Sequence, residues 1–299
     1  MRHDLPQPVL PVRDREEGMI ATLLLLLSIL QGGTAHAPPP AVASQQALSL
    51  ALEILASGPA EQAIAPTDDT NHYVFLPFAA RRPAGCEPIP GVAYATLSVT
   101  PKTADAAEHP DLNLALRGYE VTSAYCGLVD YGGGDDPKAP QLYTLFADGR
   151  VPAFPAVYQV YDWDWAHDCR GDLLAAPPVT LAGMGVAPGE VLYLPDSGYD
   201  IGGDYEALVL YATEERITLK YTCDDSVANG YTIHVENVCV EPSLLALYQA
   251  WDGAGRVRLP ALRGGQPFGR ARSAEIRVAI RDTGSFMDPR SRKDWWQAR

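Results

Sequence analysis

Apolar and polar residues alternate along most of the chain beyond residue 70, and this pattern predicts a β-rich protein. The predicted strands are rich in Val, Ile, Tyr, Phe and Thr, and Gly, Pro or Asp bounds most of them. They cover residues 72–78, 92–99, 156–163, 190–194, 206–212, 216–223, 231–240 and 275–281. Helical spacing is confined to residues 47–57 and 242–250, and the second of these segments begins at Pro242. We therefore expect a mainly β fold with a short N-terminal helix and one connecting helix.

The strands 216–223 and 231–240 flank Asn229-Gly230, a pair typical of tight hairpin turns. Successive side chains of a strand point to opposite sides of its sheet, so each face can be assigned. The predicted apolar face holds Ile217, Leu219, Tyr221, Tyr231, Ile233, Val235, Ile276, Val278 and Ile280. The polar face holds Thr218, Lys220, Thr222, Thr232, His234, Glu236, Glu275, Arg277 and Arg281. We expect any functional site to lie on this polar face.

The N-terminal segment has the features of an export signal. The run Met19–Leu30 is apolar for about a dozen residues, whereas a helix that spans a bilayer needs roughly 20. Ala35-His36-Ala37 fits a signal peptidase site, and three prolines at 38–40 prevent helical continuation. We predict a signal peptide over residues 1–37, with translation starting at Met1 or Met19, and a protein that is secreted or periplasmic. An uncleaved anchor or a buried helix is the alternative.

The rest of the chain divides into three regions. Residues 38–66 form a Pro- and Ala-rich linker with the short helix, residues 67–185 a β-rich N-terminal lobe, and residues 186–299 a second β core. Because 47% of the residues are hydrophobic, the two β regions can bury a substantial core.

The charge distribution restricts the partners. A formal net charge of −14 argues against nucleic acid, which is bound by an excess of Lys and Arg. Residues 251–299 nevertheless hold 11 basic against 5 acidic residues. This basic segment either packs on the acidic body or forms a solvated face, or it is a cationic surface for an anionic wall polymer or lipid headgroup.

The cysteines are widely spaced and have no C-x-x-C pair, which excludes a zinc knuckle. They are Cys86, Cys126, Cys169, Cys223 and Cys239. In an exported protein this spacing suggests one or two disulfides, and the odd number leaves at least one thiol unpaired. The hairpin register does not bring Cys223 opposite Cys239. The pairing stays open.

Aromatic rings and carboxylates are concentrated in Asp162-Trp163-Asp164-Trp165. Aromatic faces can stack on sugar rings while carboxylates accept hydrogen bonds from sugar hydroxyls, so this segment is a candidate glycan-binding site. Alternation within one strand would put both tryptophans on one side. The alternative is therefore a pair of core tryptophans between solvated aspartates.

Two further groups of polar residues have a functional and an ordinary interpretation. The acidic stretch Asp196–Asp204 could offer oxygen ligands to calcium, but it lacks the EF-hand spacing, and Asp and Gly also suffice for turns. His234 and Glu236 share one strand face and could bind a metal, although a surface histidine beside a carboxylate is common.

One part of the sequence, from Leu262 to Trp295, resembles a known family. It contains a Gly-Gln-x-x-Gly turn, a strand that runs into Arg-Asp-x-Gly, and a closing Asp-Pro; these are residues 265–269, 275–284 and 288–289. They resemble the C-terminal core of lysostaphin-type zinc endopeptidases, the M23 peptidoglycan hydrolases. The resemblance implies an antiparallel β-sandwich, the duplicated hybrid motif of that family, around one zinc ion.

The zinc ligands implied by this resemblance are largely replaced. Aligned through Arg281-Asp282, the His-x-His pair of the family falls on Glu275 and Arg277, and arginine has no lone pair for a cation. The His-x-x-x-Asp motif has a counterpart in His109 and Asn113, where an amide replaces the ligating carboxylate. Since a catalytic zinc needs three protein ligands, we expect no cofactor.

These features predict a secreted, non-catalytic M23 peptidase-like protein that binds a cell-wall glycan or an envelope protein. It would not span the membrane after signal cleavage. One alternative is an active zinc endopeptidase with relocated ligands, namely His109, His234 and Glu236. A structural secreted protein without a ligand is the other.

Overall fold

A computed structural model describes residues 86–102 and 105–297 of the chain. The predicted signal peptide, the linker with its helix, and the predicted strand at 72–78 lie outside the described residues. The predicted N-terminal lobe is described from Cys86 onward.

The described part is mainly antiparallel β, with 35% of its residues in strands and 11% in helices, which confirms the predicted class. The strands are β1 (Ala95–Ser98), β2 (Tyr119–Val121), β3 (Val157–Asp164), β4 (Cys169–Leu173), β5 (Leu181–Gly185), β6 (Val191–Tyr193), β7 (Ala207–Ala212), β8 (Arg216–Lys220), β9 (Tyr231–Glu236), β10 (Val238–Val240), β11 (Arg258–Leu262), β12 (Pro267–Ala271), β13 (Glu275–Asp282) and β14 (Ser285–Met287). The helices are α1 (Leu114–Arg117), α2 (Pro242–Gly253) and α3 (Arg292–Trp295), with a 3-10 helix at Leu142–Leu145.

The strands form two sheets. The larger has 11 strands, in the order β1-β11-β7-β8-β9-β13-β5-β3-β2, with β14 paired to β13 and β4 paired to β3. The smaller has three strands in the order β10-β12-β6. Strands β8 and β9 pair as a hairpin whose connection runs over residues 221–230, so the tight turn predicted at Asn229-Gly230 is not formed; Gly230, at the end of the connection, has a positive φ of 58°. Strand β13 then pairs with the free edge of β9.

The main core lies on the apolar face of these central strands. Val278 of β13, Val235 of β9 and Ile217 of β8 are buried on that face and belong to one apolar cluster. The cluster extends to Phe268 of the smaller sheet and Leu244 of α2. The helix begins after Glu241, whose carboxylate accepts hydrogen bonds from the first amides of α2. The assignment of the apolar face from the sequence is confirmed.

The opposite face of the central sheet is also covered. A second buried cluster brings together Leu114 of α1, Val160 of β3, Leu181 of β5, Ala279 of β13 and Phe286 of β14. Ala279 stands between Val278 and Ile280, which both belong to the main core, so β13 is enclosed on both sides. An antiparallel sheet often leaves one face to solvent, but here the middle of the sheet does not.

Several strands form where the sequence shows no clear alternation. They include β5, which reads Leu-Ala-Gly-Met-Gly, and β11, which contains Pro260, as well as the short strands β2, β4, β12 and β14. Neighbouring strands supply the pairing that local propensity does not. The predicted strand at 231–240 divides into β9 and β10, because Asn237 has a positive φ of 62° and turns the chain into the smaller sheet.

The cysteine pairing, which the sequence left open, is settled by a disulfide between Cys86 and Cys239. Cys126, Cys169 and Cys223 are free and exposed. The disulfide joins the start of the described chain to β10.

The basic C-terminal segment packs on the acidic body, as the first interpretation of its charge proposed. Arg256 forms a buried ion pair with Asp225, with 2.6 Å between Nη2 and Oδ1. Toward the C-terminus, Arg292 lies 2.9 Å from the exposed carboxylate of Asp130. These pairs link residues far apart in the sequence.

Candidate functional site

The polar face of the central sheet has a regular arrangement, because directly opposed residues of antiparallel strands lie on the same side. The pairing of β8 with β9 and of β9 with β13 places three residues side by side in each of three rows. The rows are Arg216, Glu236 and Arg277; Thr218, His234 and Ala279; and Lys220, Thr232 and Arg281. We call the first of these the charged row.

The centre of this polar face is buried, whereas Arg216 and Arg277 of the charged row are partly exposed. His234 is 1% exposed and Glu236 is 4% exposed. Residues 106–121, which we call the covering segment, lie over the face: the Thr218 hydroxyl donates to the Leu112 carbonyl (2.7 Å), and Arg216 Nη1 donates to Asn113 Oδ1 (3.2 Å). The sequence identified the polar side chains correctly but not what covers them.

An ion network fixes the covering segment to β13. Asp111 Oδ1 lies 2.7 Å from Arg281 Nη1 and 2.7 Å from Arg117 Nη2. Burial opposes ionisation of Asp111, but Arg281 and Arg117 together hold the pKa of this carboxyl below its ordinary value. Arg281 also donates to the Gly284 carbonyl. The network is a buried structural connection between segments remote in sequence.

His234 is held in a neutral state at the centre of the face. Its Nδ1 lies 3.0 Å from the Thr218 hydroxyl oxygen; because that hydroxyl donates to Leu112, Nδ1–H is the donor to Thr218. Nε2 is buried and has no hydrogen-bond partner among the described residues. Burial, assisted by Arg281, lowers the pKa of His234 to about 3. The ring stacks on Phe286, with 6.4 Å between centroids.

In the charged row, the guanidinium of Arg277 forms an ion pair and hydrogen bonds with neighbours on its own side of the sheet. Its Nε lies 2.7 Å from Glu275 Oε1, and it also donates to the hydroxyls of Tyr158 (3.2 Å, from Nε) and Tyr119 (3.1 Å, from Nη1). These partners hold the guanidinium away from Glu236, the residue opposite it in the register.

Among the described residues, Glu236 has one ion-pair partner, Arg216. Arg216 Nε lies 3.3 Å from Glu236 Oε2, but its N–H has no hydrogen-bond partner, so it is not directed at the carboxylate. Burial raises the pKa of Glu236 to about 7, although Arg216 lowers it.

A groove with a volume of about 340 Å³ opens over this carboxylate. Glu236 and Arg216 line it from the sheet, and the loop after α1 and the strand β3 supply the other walls. The remaining lining residues are Ala115, Gly118, Tyr119, Glu120, Tyr161 and Arg170. Sequence reasoning missed Tyr119, because β2 is only three residues long, and Arg216, although alternation from Thr218 would have placed it on this face.

The predicted former zinc positions each have partners of their own. His109 Nδ1 accepts a hydrogen bond from the Asp111 amide (3.2 Å), and its ring packs on Trp165, with 5.7 Å between centroids. The side-chain oxygen Oδ1 of Asn113 caps α1, because it accepts a hydrogen bond from the backbone N–H of Ala115 (3.3 Å). It also accepts one from Arg216. Glu275 and Arg277 pair with each other.

The donor set does not fit a zinc ion. Among the described residues, no group of three or more His, Cys, Asp or Glu side chains is placed to hold a metal. In the alternative set His109, His234 and Glu236, only His234 carries a buried nitrogen without a partner. The acidic stretch near Asp200 forms a turn, in which Oδ1 of this residue accepts from the Gly202 amide (2.7 Å).

The aromatic hairpin, which we define as residues 161–169 of β3, its turn and β4, departs from the predicted strand. Trp165 lies in the turn beyond β3 and is 58% exposed, so it is not a core residue. Trp163 is half-buried and its Nε1 donates to Asp168 (3.3 Å). Because β3 ends at Asp164, the two tryptophans do not share a regular strand face.

The two predicted carboxylates of this hairpin already have partners. Asp162 Oδ1 accepts from Arg117 Nη1 (3.3 Å), and Asp164 Oδ2 lies 2.6 Å from His167 Nδ1. Asp164 also accepts from the Ala166 amide, so it forms the turn that presents Trp165.

Within residues 86–102 and 105–297, no helix is long and apolar enough to cross a membrane. Comparison with known protein families, with curated proteins and with solved structures finds no match for this chain. The resemblance to the lysostaphin-type zinc endopeptidases therefore stays a prediction from the residues alone.

Proposed function

We propose that this protein is a secreted, non-catalytic binding protein with an M23 peptidase-like β-sandwich, and that its aromatic hairpin attaches it to a glycan of the cell envelope. The exposure of Trp165 carries this proposal. An indole that is 58% exposed, at the tip of a hairpin and beside the His109 ring, offers an apolar face to a sugar. The alternative ligand of the aromatic hairpin is a protein of the envelope, because tryptophan also anchors protein interfaces.

Retention on insoluble cell-wall polysaccharide tests the glycan proposal. Trp165→Ala should lower retention about tenfold or more, as removal of a central aromatic anchor does. Tyr125→Ala is the matched control, because Tyr125 is an exposed aromatic (71%) outside the hairpin, and it should leave retention unchanged. Equal retention of both variants and the wild type would exclude the hairpin as the binding surface.

The absence of catalysis is proposed from the chemistry of the former ligand positions. Arg277 pairs with Glu275, and the side-chain oxygen of Asn113 accepts from Arg216, so three of the four former zinc positions are engaged by neighbouring side chains. A fixed positive charge in a partly shielded site also repels a dication. The competing proposal, an active zinc endopeptidase, is favoured only by the unpartnered Nε2 of His234.

Elemental analysis separates these two proposals. Protein purified without chelator should contain well under one zinc per chain and should not cleave peptidoglycan cross-bridges. Stoichiometric zinc that is lost together with lytic activity in His109→Ala or His234→Ala would establish the enzyme instead.

Export is proposed from the apolar run and the Ala35-His36-Ala37 sequence. N-terminal sequencing of the extracellular or periplasmic product should begin at Pro38 or a few residues beyond. An exported product that still begins at Met1 or Met19 would contradict signal cleavage.

A further inference from the structure

The floor of the groove holds a buried carboxylate. Glu236 is 4% exposed, and its partner among the described residues is Arg216, whose Nε lies 3.3 Å from Oε2 without hydrogen-bond geometry. An ionised carboxylate can accept about four hydrogen bonds, and burying one without donors is costly. Because Glu236 lines the groove, a molecule bound there can donate hydrogen bonds to its carboxylate oxygens.

The neighbouring arginines donate hydrogen bonds to other acceptors. Arg216 donates through Nη1 to Asn113 (3.2 Å) and through Nη2 to Glu215 (3.3 Å). Arg277, opposite Glu236 in the register, donates to Glu275 and to two tyrosine hydroxyls. Both guanidinium groups are thus held by other acceptors, and Glu236 lines a groove from which a donor can reach its carboxylate.

The walls favour a compact cationic group on an apolar stem. A second carboxylate, that of Glu120, lines the groove and accepts a hydrogen bond from the Tyr161 hydroxyl. Tyr119 and Tyr161 add ring surface along which methylene groups can lie. A volume of about 340 Å³ accommodates a single side chain rather than a folded domain.

The geometry at Glu236 distinguishes an ammonium from a guanidinium. Arg216 Nε lies 3.3 Å from Glu236 Oε2. This position hinders a second guanidinium, which would bind both carboxylate oxygens of Glu236 at once. A primary ammonium is a compact point charge with three rotatable donors, and it can bind through Oε1 alone. Arg170 also lines the groove, and its Nε and Nη2 donate to the carbonyls of Leu116 and Ala115.

We propose that this groove binds a primary alkylammonium group, such as the lysine side chain of a peptide or protein, through the carboxylate of Glu236. This site is separate from the tip of the aromatic hairpin and does not depend on glycan binding. It adds recognition of a cationic peptide group to the proposed polysaccharide attachment.

The probes are Nα-acetyl-lysine amide, which carries the ammonium, and Nα,Nε-diacetyl-lysine amide, its neutral analogue, titrated at pH 8 and followed by NMR. The first should bind at least about tenfold more tightly than the second, since a hydrogen bond to a charged partner contributes a factor of about 10 to 100. Glu236→Gln should lower the affinity for the ammonium probe by that same factor. Glu215→Gln is the matched control: this carboxylate contacts the same Arg216 but is half exposed and outside the groove lining, so the affinity should stay within about twofold.

Equal binding of the two probes, or full affinity in Glu236→Gln, would overturn the proposal. If Glu236→Gln does not fold, the wild type decides alone: the ammonium probe should shift the amide resonances of Gly118 and Tyr119, which line the groove. Shifts confined to other residues would equally refute the site. Retention on polysaccharide is measured separately with Trp165→Ala, so failure of one proposal is distinguishable from failure of the other.

Discussion

The two faces of strands β8, β9 and β13 are both buried, but they are held in different ways. On one face Leu219, Ile233 and Val278 pack in a continuous apolar core, where contacts are numerous and none depends on direction. On the other face most side chains are polar, and several are held by particular partners, such as Asp111 for Arg281 and Thr218 for His234. Burial of the charged side chains on the polar face is therefore conditional, because a buried charge is tolerated only while it keeps its partner.

The largest effect should come from removing one partner on the polar face. Asp111→Ala leaves Arg117 and Arg281 buried without their shared carboxylate, and we expect a loss of about 4 kcal/mol in the free energy of unfolding, measured with urea. Asp130→Ala is the control, because this aspartate is 80% exposed where it pairs with Arg292 and should cost under about 1 kcal/mol. Similar losses in both variants would remove the distinction between buried and exposed pairs.

The apolar face should respond slightly less to a single truncation. Leu219→Ala deletes a fully buried side chain, and we expect a loss of about 3 kcal/mol, within the usual range for a cavity in a core. Val257→Ala, at a position that is 49% exposed, should change stability by under about 1 kcal/mol. If Leu219→Ala cost clearly more than Asp111→Ala, the apolar face rather than the ion network would be the more sensitive one.

The third effect is a dependence on pH that only the polar face should show. The pKa of His234 is about 3 in the folded protein and near 6.5 when unfolded, so its contribution is present above pH 6.5 and is lost as the pH falls toward 3. Asp111, Arg117 and Arg281 are the charged groups around it. Between pH 6.5 and 4.5 the wild type should lose about 2.5 kcal/mol more than His234→Gln.

Val257→Ala is the control for this pH experiment, because Val257 is 49% exposed and has no titratable group. Its unfolding free energy should follow the wild-type curve over the same range. A His234→Gln variant with the same acid sensitivity as the wild type would show that His234 is protonated in the folded protein, and the assignment of Nδ1 as a neutral donor to Thr218 would be wrong.

The sequence predicted the class of the fold and the faces of its central strands. Alternation placed Ile217, Leu219 and Ile233 together, and β8 and β9 pair as a hairpin, but their connection runs over residues 221–230 instead of a tight turn at Asn229-Gly230. It did not predict strands such as β5 and β11, whose glycines and proline have low strand propensity and which form by pairing with neighbours. The short N-terminal helix lies outside the described residues and stays a prediction.

Prediction of the site was partial for a similar reason. Residue chemistry alone indicated that Arg277 cannot ligate a cation, and alternation indicated that Glu236 and His234 share a face. The exposure of Trp165 was not predictable, because it depends on where β3 ends and the turn at Asp164 begins. The groove was missed altogether, since its lining residues come from four separate segments of the chain.

Local sequence specifies which side chains each strand offers to its two faces, because side-chain direction in a strand follows from local backbone geometry. The cover of the polar face, in contrast, depends on contacts between distant parts of the chain. Asp111 and Arg281 are 170 positions apart, and no local pattern specifies that the covering segment returns to lie on β13. That non-local contact turns an apparently solvated face into a buried network, and it leaves Glu236 as the floor of a groove.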